Sequence, residues 1–163
     1  MSLHHRPVTA ADVATLIGFP QGVQELFFMF PKAQYPLTEE QMHTAIGQRF
    51  DSTVFELDGA VAGFANFYRA ERQGICCIGN VIVAPGARGR GVARYIIETM
   101  TARAFEHWDA REVQLSCFNE NTAGLLLYPQ LGFVPFAIEE RPAPGGGRSA
   151  LINMRRHRHP PAA

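Results

Sequence analysis

Residues 81–93 read Val-Ile-Val-Ala-Pro-Gly-Ala-Arg-Gly-Arg-Gly-Val-Ala, an uncharged apolar strand pattern that runs through glycines straight into a helical one. The first turn of a helix leaves backbone N–H groups without intrahelical partners, and the positive end of the helix dipole lies there. Such an entrance binds an anion without needing lysine or metal. Gly89 and Gly91 let phosphate oxygens approach the backbone, and Arg88 and Arg90 add charge. The ligand expected from this segment is phosphate-bearing; the bland alternative is a tight strand-to-helix turn with solvated arginines.

Mismatches narrow the phosphate. A Walker A loop needs Lys and Ser/Thr after its last glycine, whereas Val92 and Ala93 follow Gly91, so nucleoside triphosphate chemistry is disfavoured. A dinucleotide fingerprint needs a third glycine where Arg94 stands, and it opens a fold rather than sitting mid-chain.

The elements that must position this loop follow from periodicity. Thr9 with Asp12 and Thr38 with Gln41 read as helix starts, giving a first helix to about residue 17 and a second over 38–48. Residues 24–30 resume as helix between Gly22 and Pro31. From residue 52 the period becomes two. Residues 52–57 and 61–68 form a hairpin about Asp58-Gly59, and 75–83 form a third, central strand. Val92, Ile96, Met100, Ala104 and Trp108 mark one face of the next helix. A strand over 113–118, a helix over 121–131 and strands over 133–140 and 150–154 complete the chain. The order is β, two helices, a three-strand meander, helix, strand, helix and hairpin: a mixed α/β sheet with helices on both faces.

Composition sets outer bounds. At 163 residues, 47% hydrophobic and 18% charged, one domain with its own core is expected, over residues 1–156, with 157–163 a short tail. Fifteen Lys+Arg balance fifteen Asp+Glu, so no global field draws the protein to nucleic acid or an anionic membrane, and neither is expected as a partner. Cys76, Cys77 and Cys117 make no C-x-x-C pair, which argues against disulfides and a thiolate metal site. No stretch reaches the ~18 apolar residues of a membrane span, and a cytoplasmic location is expected.

Arg88-Gly-Arg-Gly-Val-Ala93 resembles the R-x-x-G-x-G/A signature of the GNAT N-acetyltransferases. The run Asn121-x-x-Gly124-x-x-Leu127-Tyr128-x-x-x-Gly132-Phe133 resembles their second signature. Two matches in the right order, within a matching element order, cover nearly the whole chain. The resemblance implies a GNAT fold, an α+β arrangement with a mostly antiparallel central sheet whose parallel strand pair splays. It implies acetyl-CoA as donor, with pyrophosphate at Arg88, Gly89, Arg90, Gly91, Val92, Ala93 and Arg94. It implies pantetheine paired as an extra strand with Val81, Ile82 and Val83, and contacts from Asn121, Gly124 and Tyr128.

The resemblance makes Tyr128 the general acid. Attack by an amine on a thioester releases a CoA thiolate, which a phenol with pKa of about 10 can protonate at neutral pH. The base is less direct. Where relatives often carry carboxylates this chain has Asn80 and Ser116, so the expected path is a water held by Asn80, Ser116 and Asn119, the alternative being ordinary satisfied polar groups. Ser116 and Phe118 share a strand face and Cys117 takes the other, so Cys117 reads as core. The acceptor pocket is expected from Phe27, Phe28, Tyr35, Asn66 and Tyr68 with the 142–148 loop, in a monomer or homodimer. The function implied is acetyl transfer to a primary amine, small-molecule or peptide, by direct attack in a ternary complex. A non-catalytic acyl-CoA sensor shares the loop but needs neither Tyr128 nor an amine pocket. A nucleic-acid module would use Arg88, Arg90 and the basic tail at 155–159.

Overall fold

The chain begins with a strand, β1 (Leu3–Pro7), a 3-10 turn (Ala10–Asp12) and three helices, α1 (Val13–Leu16), α2 (Val23–Met29) and α3 (Glu39–Gln48). Strands β2 (Phe50–Leu57), β3 (Ala60–Ala70) and β4 (Ile75–Val83) make the meander, followed by a 3-10 turn (Pro85–Ala87) and the long helix α4 (Val92–Glu106). Then come β5 (Glu112–Phe118), α5 (Thr122–Gln130), β6 (Val134–Pro142) and β7 (Arg148–His157). This computed structural model describes residues 1–158. Its seven strands form one sheet in the order β1-β2-β3-β4-β5-β7-β6, antiparallel except at β4–β5.

Alternation along the strands builds two cores. On β2 and β3, Phe55 and Ala65 face one side while Val54 and Phe64 face the other. The first side receives Val92, Ile96, Met100 and Ala104 of α4, and burial of a side chain such as Ile96 stabilises by about 2 kcal/mol. The second side receives Val13 and Leu16 of α1, Leu26 and Met29 of α2 and Met42 of α3. Helices therefore cover both faces, as the element order predicts.

Three helices stand before β2 where the expected order counts two, and among the shifted boundaries two bear on the packing. Trp108 lies beyond the end of α4, where its indole N–H donates to Asp51 at 2.8 Å and its ring meets Phe50 edge-on. β7 runs on through Arg155, Arg156 and His157, paired with Gln114, Val113 and Glu112. Charged residues hold a strand there with their guanidinium groups over aromatic rings: Arg155 lies 5.0 Å from the Phe136 centroid and Arg156 5.9 Å from that of Phe105. The rest of the expected tail, 159–163, lies outside the described residues. Among the described residues no helix is long and apolar enough to cross a membrane.

Candidate active site

The parallel pair β4–β5 is joined at three positions only, Ile75 to Glu112, Cys76 to Val113 and Cys77 to Gln114. Beyond Cys77 the strands part, and β4 continues to Val83 with its β5-side edge unpaired. The divergence begins at a bulge. Pairing of β4 with β3 shifts between Gly79 and Ile82, where Asn80 adopts φ 52°, a left-handed value that asparagine tolerates better than branched residues. Val81 and Val83 pack towards α4 while Ile82 is buried under α1–α3, so the side chains anchor the strand and leave its edge open.

At the end of that edge the glycine loop turns into α4. Gly89 and Gly91 have φ 74° and 82°, and a Cβ at either would meet nothing within 4 Å. Both glycines are thus required by conformation, and the space above them is free for a ligand. Val92 is buried and fixes the helix entrance. The arginines divide their roles. Arg88 makes a two-point ion pair with Glu25 of α2 at 2.6 and 2.9 Å, which ties the loop to α2 and holds the Glu25 carboxyl below its ordinary range. Arg90 is only loosely paired, 3.5 Å from Asp58, and Arg94 donates to Gln130 Oε1 at 2.7 Å.

Across the gap, α5 carries Tyr128 against the β5 side. Asn121 caps α5 by accepting from the Gly124 N–H at 3.1 Å. The Tyr128 ring is buried, and its hydroxyl has no hydrogen-bond partner among the described residues. Burial, reinforced by the neighbouring Cys117, pushes its phenol well above the ordinary value, so it holds its proton at neutral pH. Cys117 is buried with its thiol pushed up to about 11, and it donates to the carbonyls of Phe118 and Asn121, which fits a core role.

The expected polar groups fall into two sets. Asn80 is built into the scaffold: its Nδ2 donates to Met29 O at 3.1 Å and its Oδ1 accepts from Asn66 at 2.9 Å. Asn66 is fully buried and also contacts Ser52 and Arg49, while Asn119 accepts from Ser149 and the Ala150 N–H, pinning β5 to β7. Ser116, by contrast, is part-buried beside the gap. Its hydroxyl donates to Asn153 Oδ1 at 2.6 Å, and Asn153 Nδ2 donates to Glu139 at 3.0 Å. With its proton on Asn153, the Ser116 oxygen keeps lone pairs that can accept a hydrogen bond. The Tyr68 hydroxyl lies beside Ser116 and Cys77, with its phenol pushed up to about 12 chiefly by burial.

Helix α2 straddles the gap on this face. Met29 holds β4 through Asn80, and Phe27 stacks on Phe118 of β5 at 4.2 Å with Phe28 behind it at 6.3 Å. A cavity of about 230 Å³ opens beside it, lined by Phe27, Pro31, Tyr35, Pro142 and Pro144. A larger hollow, about 720 Å³, lies between β1 and α4 around His5 and Tyr95 and does not include the loop, Ser116 or Tyr128. Three residues here escape sequence reasoning: Asn153 and Glu139, whose meeting with Ser116 depends on the β5–β7–β6 register, and Arg49, which follows α3 and lies across β3 and β4.

Residues 21–133 match the family model described as the acetyltransferase (GNAT) family. The chain belongs to that family, whose members are acyltransferases acting on amine acceptors. Solved structures share the fold over almost their full length. A GCN5-related N-acetyltransferase from Kribbella flavida has a TM-score of 0.75 at 27% identity, with 95% of this chain and 97% of that one covered. A ribosomal-protein-alanine N-acetyltransferase from Brucella melitensis gives 0.78 at 22%, covering 94% and 99%. The yncA structure from Salmonella typhimurium, solved with its cofactor acetyl-CoA, gives 0.74 at 19%, covering 100% and 98%.

Proposed function

We propose that this protein transfers the acetyl group of acetyl-CoA to a primary amine by direct attack in a ternary complex. The observation that carries the reading is the coincidence of three features: the unpaired edge of β4, the left-handed glycines at its end, and a protonated tyrosine across the gap whose hydroxyl has no partner among the described residues. An acyl-pantetheine chain is a string of amides, which an open strand edge accepts as it would another strand. Acetyl-CoA supplies the activated thioester. The N–H groups of Gly89, Arg90, Gly91, Val92 and Ala93 receive the pyrophosphate, with Arg90 and Arg94 beside it and Arg88 bracing the loop. The backbone of Val81, Ile82 and Val83 aligns the pantetheine arm, and Asn121 and Gly124 shape the α5 side.

As the C–S bond breaks, Tyr128 delivers its proton to the departing sulfur, and the proton shed by the new amide nitrogen returns to the tyrosinate through water. Burial keeps the proton on the phenol until the thiolate forms to receive it. Ser116 accepts a hydrogen bond from the incoming amine, oriented by Asn153, and the ammonium proton leaves through water on the side of Glu139. Phe27, Phe28 and Tyr35 line the acceptor's apolar part, and Tyr68 closes its floor.

Release of free thiol from acetyl-CoA in the presence of a panel of primary amines tests the reading. Amine-dependent thiol release supports it; tight acetyl-CoA binding with no release for any amine would make the protein an acyl-CoA sensor instead.

A further inference from the structure

Arg49 is a half-buried guanidinium with no carboxylate within ion-pair distance among the described residues. The contrast within the same molecule is clear: Arg6, Arg88 and Arg103 each hold an Asp or Glu at 2.6–2.8 Å. Arg49 instead makes one long hydrogen bond, 3.3 Å from Nη1 to the neutral Oδ1 of Asn66. A guanidinium has five N–H donors, and taking it out of water without a counter-charge is unfavourable. Burial accordingly presses its pKa down.

The surroundings are built for the group. The Phe30 and Tyr68 rings stand 5.6 and 5.7 Å from the guanidinium carbon. Contacts through the aromatic faces hold the charge while leaving the planar fork of N–H groups for a bidentate oxyanion. Gly79 makes room: a Cβ there would stand 2.7 Å from Arg49 Nη1 and 2.8 Å from the Tyr68 ring. Asn66 cannot rotate away, because its amide nitrogen donates to Asn80 and Ser52.

The position gives the role. Gly79 lies two residues past Cys77, where β4 and β5 cease to pair, and directly before the Asn80 bulge. Arg49 therefore stands at the head of the gap on the α2 side. Tyr68 joins the two polar points of the acceptor face, with its ring against Arg49 and its hydroxyl beside Ser116. An amine at Ser116 and an anion at Arg49 are thus about one tyrosine side chain apart, the reach of a short zwitterion with its two hydrogen bonds.

We propose that Arg49 binds an oxyanion of the acceptor, so that the amine acetylated here belongs to an anionic small molecule of the amino-acid class. The inference rests on the acetyl-transfer reading above and narrows its substrate. The half-buried Phe27 and Phe28 and the adjoining apolar cavity suit an uncharged side chain on that molecule.

The test compares L-phenylalanine with phenethylamine, which lacks the carboxylate, and L-phenylalaninamide, which lacks its charge. The two controls bracket the amino acid in amine basicity, so preference for the amino acid over both reports the carboxylate. The expected kcat/KM is at least tenfold higher for L-phenylalanine, a ratio that collapses towards one in Arg49→Gln and is partly recovered in Arg49→Lys. A second measurement needs no variant: 3-phenylpropanoate should slow phenylglyoxal modification of Arg49, read by peptide mass spectrometry, and phenethylamine should not. Equal turnover of the three amines, with no protection of Arg49, overturns the proposal and leaves acetyl transfer standing. Protection of Arg49 without thiol release for any amine removes acetyl transfer, and with it the acceptor role, leaving only an oxyanion site.

Discussion

Gly124 lies one helical turn before Tyr128 and leaves open the space that its ring fills: a Cβ at 124 would stand 3.0 Å from Tyr128 Cε2 and 2.8 Å from Cys117 Sγ. The same Cβ would press on the Asn121 side chain at 3.1 Å, so one missing methyl sets the α5 cap, the tyrosine and the β5 wall together. Gly124→Ala is therefore expected to cost about 1–3 kcal/mol in denaturant unfolding. Its kcat should fall more than its acetyl-CoA affinity, because the proposed mechanism puts the displaced group at the sulfur rather than at the pyrophosphate.

The glycine loop can be separated from ordinary backbone strain. Gly91 and Gly59 have nearly equal φ, 82° and 85°, and both face open space, but Gly59 lies in the β2–β3 turn. A valine at either position strains the backbone by about 1–2 kcal/mol. Only Gly91→Val should also lose at least about tenfold in acetyl-CoA affinity by calorimetry, since its side chain would enter the proposed anion site. Equal affinities for the two folded variants would remove the loop from the binding site.

Acid stability should centre on Asp12. It is buried, receives Arg6 at 2.8 Å on each oxygen and accepts from the Thr9 N–H at 2.8 Å, and these bonds, led by Arg6, hold its pKa far below the ordinary value. A carboxyl whose folded pKa is depressed contributes stability above its unfolded pKa of about 4 and loses it as pH falls towards the folded value. Asp12→Asn should cost about 2 kcal/mol at pH 7 and progressively less below pH 4. A variant difference that stays constant between pH 7 and pH 2.5 in urea unfolding would contradict this.

The base can be tested through the amine. If Ser116 accepts from the amine and water takes its proton, Ser116→Ala should slow acetylation modestly, by about three- to thirtyfold. The pH at which the rate rises should follow the pKa of each amine in a graded series. A limb fixed at one pH for all amines, or one that shifts on Glu139→Gln, would identify an enzymic base instead.

How much of this was legible in the sequence depends on the range of the interactions involved. The glycine loop, the α5 cap at Asn121 and the helix starts are local signals, and Thr38 does accept from the Gln41 N–H at 3.2 Å. The reciprocal half of that cap is absent, because the Gln41 side chain is drawn to Gln34 and Pro36. β1 stands first in the expected order but without bounds, since His4 and His5 are exposed on an edge strand and need no apolar alternation. The pairings that shape the candidate site are non-local. Arg88 with Glu25 spans 63 positions, Asn80 with Met29 spans 51 and Ser116 with Asn153 spans 37, and each is fixed by register and helix docking rather than by neighbouring residues. Arg49 carries no local signal at all; its setting exists only once α3, β3 and β4 meet.

If Tyr128 protonates the leaving thiolate, single-turnover acetyl transfer by Tyr128→Phe will reveal it. The Tyr128 hydroxyl has no hydrogen-bond partner to lose among the described residues, so the variant should fold with nearly unchanged stability and bind acetyl-CoA within a few fold of the parent. Its chemical step should be slower by about ten- to ten-thousandfold. Coincident single-turnover rates for Tyr128→Phe and the parent protein would contradict the claim and leave the tyrosine a packing residue.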